Sequence, residues 1–580
     1  MRPFILTELQ AGKLPRWALW MLCALYALPG FIGRDPWRVN DAAGFGVALT
    51  MARGGLADWL MPNISGQPVY DDGPLPFWLA GGAARLLPIL PEHVTVRAVA
   101  VIGLFVLFIG LWYASYSVAR RPGAQPSDPF GASASRVDYG RAVADSALLV
   151  LLATLGLIAR LHETTAAAAE VAWIALFLFG LAYALDYARR GGLLAGAAVA
   201  ATALTRGLPY AIALLAVLLL LPALSRSYRL ILRPFWLTSL PVAVLGSVLW
   251  PWLLGTSGPA GSAYLHGWWS ANLALVTQPN LDTVLYWFRT APWFFWPAWP
   301  IAVWAIVRWR SSLSEPAIVL PLLTLAALLP LAWIAPRPDE AALLPLAPAF
   351  AMLAAVGLPT LKRAVVSLVD WFSVMTFSLF GLAAWGYWIA YITGYPPKMA
   401  YRASQLAPGF KPEWIVDEIV LGGLATIAWL LLVRWRVSRQ PPMIWRAVVL
   451  ASGGLVLAWC LLMTLWLSVF DERNTYRELA RRTAEQLPPG YDCVATRALG
   501  LTERTSLAYF GILRFGRDQR DCDWLLIEDG GHSRGCWRRT SRAGSLPGRA
   551  CAATIPTSAS GSIGAAADGN GWSTVPGSIR

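Results

Sequence analysis

Trp17-Ala18-Leu19-Trp20-Met21-Leu22-Cys23-Ala24-Leu25-Tyr26-Ala27-Leu28-Pro29-Gly30-Phe31-Ile32 is an uncharged apolar run, and it stops at Gly33-Arg34-Asp35-Pro36-Trp37-Arg38. Arg2, Lys13 and Arg16 precede it. A greasy run with basic residues on one side reads as a membrane span whose cationic end stays inside. Removal as a signal peptide would need a small-residue cleavage site, and Leu28-Pro29-Gly30 is a poor one, so the span is expected to be kept. The polar stretch after it places Arg34 and Asp35 at a membrane face. Charge is costly to hold there, and its presence asks for a reason.

The rest of the chain repeats the pattern. Of 580 residues, 57% are hydrophobic and 14% charged, with a mean hydropathy of +0.52. That is too apolar for a water-soluble chain of this length and predicts an all-α, polytopic membrane protein. The 31 tryptophans suit rings at membrane–water interfaces. The net charge of +14 would suggest nucleic acid in a soluble protein. Here the basic residues sit in short loops between apolar runs, so membrane topology and anionic lipids account for them and no nucleic-acid partner is expected.

Runs long enough to cross a bilayer core occur near 17–33, 94–117, 145–159, 167–187, 191–205, 208–224, 236–254, 291–307, 317–335, 341–359, 367–393, 416–433 and 447–470, about thirteen in all. With the N-terminus inside, alternate loops carry Arg120, Arg121, Arg136 and Arg141; Arg189 and Arg190; Arg226, Arg229 and Arg233; Arg308 and Arg310; Lys362 and Arg363; and Arg434, Arg436, Arg439 and Arg446. The opposite loops are poorer in Lys and Arg, so the positive-inside rule is kept along the whole chain. An odd number of spans then puts the C-terminal segment outside.

The organisation expected is a transmembrane domain over 1–470, a small α/β domain over 471–551 and a disordered tail over 552–580. The first outside loop, 34–92, carries Trp37, Phe45, Leu49, Leu56 and Trp59 among polar residues and reads as one or two helices lying in the interface. The loop 255–290 reads as an outside connection. In the C-terminal segment, Arg473 to Gln486 reads as a charged helix, and the stretches at Cys493–Ala495, Ser506–Phe510 and Asp523–Ile527 read as short strands. Cys493, Cys522, Cys536 and Cys551 all fall there, an even number that suggests disulfides on an oxidising side, with free thiols as the alternative and no pairing assigned. Without a CxxC pair or a His cluster, zinc or another divalent metal has no support, and no cofactor is called for.

Ionisable residues gather on the outer side. Asp35 follows the first span directly, where a carboxylate could accept a proton from, or align, an acceptor hydroxyl. Arg160, His162 and Glu163 stand together at a span end, Glu170 begins the next span, and Arg206 precedes Gly207-Leu208-Pro209. Arg337, Asp339 and Glu340 lead into Leu343-Leu344-Pro345-Leu346-Ala347-Pro348. A guanidinium at such a place can hold a phosphate. Taken singly, each has a plainer reading as a helix cap, a snorkelling side chain or a loop ion pair. No GxxxxGK[ST], strand-borne GxGxxG, HExxH or GxSxG motif supports nucleotide, dinucleotide or soluble-hydrolase chemistry.

The order of these pieces resembles the polyprenyl-phosphate-dependent glycosyltransferases of the GT-C fold, which include the lipid A aminoarabinose transferase and the protein O-mannosyltransferases. Arg34-Asp35, Ala52-Arg53, Asp58-Trp59-Leu60-Met61-Pro62, Gly66-Gln67-Pro68 and Pro74-Leu75-Pro76-Phe77-Trp78 follow the family order. Thr205-Arg206-Gly207-Leu208-Pro209 looks like its Lys-Gly-Pro segment, and Pro336-Arg337 through Pro348 like its charged loop before a Leu-Pro-x-x-Pro helix. The resemblance covers about residues 15 to 360. It implies a cell-envelope glycosyltransferase in a bacterial inner membrane, with a cytoplasmic N-terminus and a periplasmic C-terminal domain. The donor would be a sugar on undecaprenyl or a similar polyprenyl phosphate, and the acceptor a lipid, glycan or protein, as in lipid A modification.

Carried over by position, the resemblance implies Asp35 and Glu163 as catalytic carboxylates. Arg206 and Arg337 would bind the donor phosphate, and Arg34, Arg160, His162, Asp58 and Trp59 are candidate substrate contacts. Two departures stand out. The family's Glu-Lys-Pro-Pro reads Asp71-Asp72-Gly73-Pro74, which removes a lysine, and the Lys-Gly-Pro lysine is Arg206. A lipid or polysaccharide flippase is the rival class. It predicts internal repeats and midspan charges in broken helices, and neither is evident.

Overall fold

The computed structural model describes residues 11–12, 14–38, 40–125, 134–277, 281–335, 338–438, 444–488, 490–497, 499–516, 522, 524–529, 538–539, 552–557 and 561–565. The chain forms two compact units. The first comprises Met1–Arg34, Tyr70–Pro76 and Arg97–Glu472, and the second Asp35–Val69, Phe77–Val96 and Arg473–Arg580. The loop 34–92 therefore groups with the C-terminal segment, except for Arg34 and Tyr70–Pro76, and not with the spans.

The apolar runs of the sequence lie mainly in the helices Arg16–Ala27, Glu92–Ala119, Arg136–Ala153, Ala166–Ala184, Ala188–Arg206, Leu208–Leu224, Leu232–Thr256, Ala298–Arg308, Pro316–Ile334, Ala347–Gly357, Arg363–Thr393, Val416–Ser438 and Arg446–Thr464, although the run 291–307 is divided between Leu281–Phe294 and Ala298–Arg308 and the run 145–159 breaks after Ala153. Among the described residues, eight helices are long and apolar enough to cross a membrane by length and composition. Leu208–Leu224 and Ala298–Arg308 are shorter apolar helices. The helices Ala347–Gly357 and Arg446–Thr464 are almost wholly buried, whereas Arg363–Thr393 and Val416–Ser438 turn most of their apolar surface outward. Helices apolar on every side are what a lipid-facing bundle requires.

Small residues set the packing that matters most here. A Cβ on Gly191 would lie 2.2 Å from the backbone nitrogen of Ala184, and one on Gly196 would lie 2.3 Å from the carbonyl oxygen of Ser239. The helix Ala188–Arg206 is thus pressed backbone to backbone between Ala166–Ala184 and Leu232–Thr256, as small residues permit in membranes. That fixes where its last residue, Arg206, emerges. The connection 255–290, read from sequence as an outside loop, contains the helices Pro259–Thr277 and Leu281–Phe294. Tyr264, Trp268 and Asn272 of the first of these are buried.

In the second unit, helices Asn40–Arg53, Leu56–Leu60 and Leu75–Leu86 flank a short antiparallel hairpin, Asn63–Ile64 with Gln67–Pro68. Strands Val494–Arg497 and Trp524–Asp529 pair in parallel, joined through the helix Leu501–Phe510. Ser506–Phe510, read as a strand from sequence, is the end of that helix. Parallel neighbours need a crossover, and the helix supplies it. The pair Arg538–Arg539 and the strand Gly561–Ala565 run antiparallel to Trp524–Asp529, and Ala552–Thr557 pairs with Gly561–Ala565. The last two strands fall inside the expected tail, the rest of which lies outside the described residues.

Leu479, Ala480, Leu487, Val494, Leu507 and Leu526 make one core of this unit, and Phe45, Ala48, Leu49, Ala80 and Ala84 another. Buried Arg504 donates to the carbonyls of Ile64 and Ser65, at 3.0 and 2.6 Å, and to the hydroxyl of Thr496, at 2.6 Å. A disulfide joins Cys493 to Cys522. Cys536 and Cys551 lie outside the described residues.

Candidate active site

In the first unit the chain reverses direction at Gly207, and this reversal builds the site. Gly207 ends the helix Ala188–Arg206 with φ +95° and is followed by the helix Leu208–Leu224, with Pro209 in its first turn. Only glycine holds that backbone without strain. The amide of Leu208 donates to Asn272 Oδ1 at 2.8 Å, and Asn272 Nδ2 in turn donates to the Trp268 carbonyl at 2.8 Å. A side chain thereby caps the helix start from a neighbouring element.

Arg206 projects from this corner into a cluster. Its Nη1 donates to Asp72 Oδ1 at 2.8 Å, its Nε lies 3.3 Å from Glu170 Oε2, and its guanidinium carbon is 5.2 Å from the centre of the Tyr210 ring. Asp72 is delivered by the segment Tyr70–Pro76, pinned where the Gly73 amide donates to the Thr205 carbonyl at 2.9 Å. A Cβ on Gly73 would sit 2.2 Å from the Leu204 carbonyl oxygen, so glycine lets this segment lie flat on the helix end. Tyr70 packs on Tyr264, with ring centres 5.1 Å apart. Glu170 is fully buried, and its Oε1 has no hydrogen-bond partner among the described residues. Burial lifts the Asp72 carboxyl above its ordinary value, against the pull of Arg206.

A second cluster of this unit gathers two inter-helix loops on Arg160. Its Nη1 donates to Glu163 and its Nε to Glu340, both at 3.0 Å, with Asp339 at 3.9 Å. Asp339 also accepts from the Ala341 amide at 3.0 Å and caps the turn that follows. Glu163 and Arg160 are therefore brought together, with Glu340 as a partner the sequence did not assign. Arg337 lies outside the described residues.

Arg34 and His162, expected as substrate contacts, are instead buried and joined to each other. Arg34 Nη2 donates to the His162 carbonyl at 2.6 Å. The His162 ring faces the carbonyl oxygens of Ile158 and Tyr26 and packs among Tyr26, Phe31 and Trp459. Neither side chain has surface to offer a substrate, because each meets its desolvation with protein carbonyls.

In the second unit, Arg477 Nε donates to Asp35 Oδ2 at 2.7 Å, and Nη2 closes on Oδ1. The guanidinium lies over Phe510, 4.5 Å from the ring centre. Asp58 is buried, accepting from the Gly55 amide at 3.0 Å and Asn63 Nδ2 at 3.1 Å, so it serves as a cap for Leu56–Leu60 rather than as an open contact. The Trp59 carbonyl accepts from Trp78 Nε1 at 2.6 Å, and its ring reaches the space above Gly82.

Arg477 was not singled out in the sequence, where it is one of several charges on an amphipathic helix. Among the described residues no group of three or more His, Cys, Asp or Glu side chains is placed to hold a metal ion.

No family model matches the sequence, and no curated protein does. The architecture, in contrast, is similar to that of ArnT from Cupriavidus metallidurans. The structure of that protein bound to undecaprenyl phosphate superposes with a TM-score of 0.63 at 15% identity, over 86% of this chain and 85% of that one. Its apo state gives 0.59 at 16% identity, over 86% and 84%. The fold is GT-C.

Proposed function

We propose that the chain is a membrane glycosyltransferase that moves a sugar from a polyprenyl-phosphate carrier to a lipid, glycan or protein acceptor at the outer face of a bacterial inner membrane. The observation that carries this reading is the GT-C fold, shared over most of both chains with a protein crystallised on undecaprenyl phosphate. Asp35 is the group that accepts the acceptor's proton or aligns its hydroxyl. As the new bond forms between the acceptor oxygen and the anomeric carbon, the bond to the phosphate oxygen breaks, and the electron pair leaves with the polyprenyl phosphate. Arg206, with Arg337, neutralises that leaving group. Glu163, oriented by Arg160, is the second carboxylate of the reaction. The N-terminus is cytoplasmic and the C-terminal domain periplasmic, as the loop charges favour.

The test is transfer from a radiolabelled polyprenyl-phosphate sugar by the purified protein in liposomes. Asp35→Asn should abolish transfer while the protein still folds and inserts. Unchanged transfer in that variant would sink the assignment of Asp35.

A further inference from the structure

We propose that Asp72 is a resident counter-ion of Arg206 that a polyprenyl phosphate displaces, so that this one carboxylate sets the affinity for the lipid carrier. The proposal rests on the reading above, in which Arg206 receives the donor phosphate.

Charge makes the exchange necessary. One guanidinium already faces two carboxylates, Asp72 at 2.8 Å and Glu170 at 3.3 Å. A phosphate brought to Nη1 would compete with Asp72 for the same N–H and meet its carboxylate at short range, in surroundings that screen charge poorly. One carboxylate must withdraw, and the geometry selects which. Glu170 is fully buried on the helix Ala166–Ala184 and has nowhere to go. Asp72 is the more exposed of the two carboxylates, with 23% of its side chain accessible against none for Glu170.

The Asp72 segment is fixed by the Gly73 amide and the flat contact with Leu204, so its backbone stays put while the side chain rotates outward. Glu170 on Nε and the Tyr210 ring beside the guanidinium then keep Arg206 aimed. Nη1, which Asp72 vacates, is free to donate to a phosphate oxygen. The two departures from the family motifs are thus a single feature, a carboxylate where a lysine is expected and the arginine that it occupies.

Protonation of Asp72 would release Arg206 in the same way. The groups facing it are Asp71 on its own segment, Arg206, Glu170, Tyr210 and Tyr264. Burial already favours its neutral form.

The experiment is binding of undecaprenyl phosphate to the full chain in detergent, followed by tryptophan fluorescence, with phosphatidic acid titrated in parallel. Asp72→Asn should tighten undecaprenyl phosphate binding about tenfold. Arg206→Met should remove binding, and Asp72→Asn/Arg206→Met should not regain it. The gain should shrink as the pH is lowered and wild-type Asp72 takes up a proton, and Asp72→Ser should repeat the result if the amide perturbs packing. Equal or weaker binding by Asp72→Asn and Asp72→Ser, with Arg206→Met still defective, overturns the exchange and leaves the site reading intact. Undiminished binding by Arg206→Met overturns the reading itself. A gain as large for phosphatidic acid as for undecaprenyl phosphate assigns the exchange to phospholipid headgroups and overturns the proposal for the carrier.

Discussion

Arg477 closes both arms of its guanidinium on the carboxylate of Asp35, 442 residues earlier in the chain. A planar fork fixes the plane of the carboxylate as well as its position, which a lysine cannot do. Phe510 beneath the guanidinium holds the fork in turn. On the proposed reading, in which Asp35 meets the acceptor hydroxyl, Arg477 is the group that orients it.

From this follows a split in the kinetics of Arg477→Gln. On the proposed reading of Asp35, turnover should fall by about a hundredfold, the scale of a misplaced catalytic group, with KM for the proposed lipid donor unchanged. Because Arg477 is half exposed, the melting temperature should hardly move. Arg477→Lys should recover part of the rate. A purely structural pair would show the reverse, a lower melting temperature at full turnover.

His162 gives the first unit an acid-sensitive point. Burial, reinforced by the neighbouring Arg34, outweighs the two carbonyls at the ring and holds its pKa down to about 4, against 6.5 for a free histidine. As pH falls, the unfolded chain therefore takes up the proton first. The contribution is complete above pH 6.5 and is lost progressively down to pH 4, amounting to about 3 kcal/mol. Thermal unfolding in detergent across that range should show a melting temperature falling with pH. His162→Gln, less stable at neutral pH, should show a shallower fall.

The apolar helices were legible because a long apolar run is the strongest signal a sequence carries, although the run 291–307 proved to be divided between two helices. The charged residues at span ends were legible for the same reason, since charge beside lipid is conspicuous. Their partners were not. Arg206 meets Asp72 across 134 residues and Asp35 meets Arg477 across 442, and one sequence holds no trace of such pairings. Arg34 and His162 looked like exposed function because burial of a polar residue is invisible until its carbonyl partners are placed. Tyr509 and Leu507 alternate with smaller residues and so imitate a strand, while the demand for a crossover helix comes from a strand pairing fixed elsewhere.

Cys493 and Cys522 report on topology. Their bond closes a separation of 29 residues around the crossover helix, and a loop of that size contributes about 3.6 kcal/mol by restricting the unfolded chain. A C-terminal domain outside the membrane would form it during export, whereas a cytosolic one would keep both thiols. Alkylation of intact cells followed by peptide mapping should find these two cysteines protected until reductant is added. Cys493→Ser with Cys522→Ser should make the C-terminal segment markedly more sensitive to protease.

Gly207 links backbone geometry to the proposed phosphate site. At φ +95° a side chain is strained whatever the space, and here there is none, because a Cβ would lie 2.1 Å from Asn272 Oδ1. Gly207→Ala must therefore push Asn272 away, break its bond to the Leu208 amide and leave a buried helix start uncapped. Strain and the lost cap together should cost about 2 to 4 kcal/mol. The turn also aims Arg206, so binding of undecaprenyl phosphate should weaken in parallel. Asn272→Ala separates the two effects: it removes the cap while leaving the turn alone, and it should lower the melting temperature with a smaller loss of binding. Equal loss of binding in both variants would mean that the cap, and not the left-handed turn, positions the guanidinium.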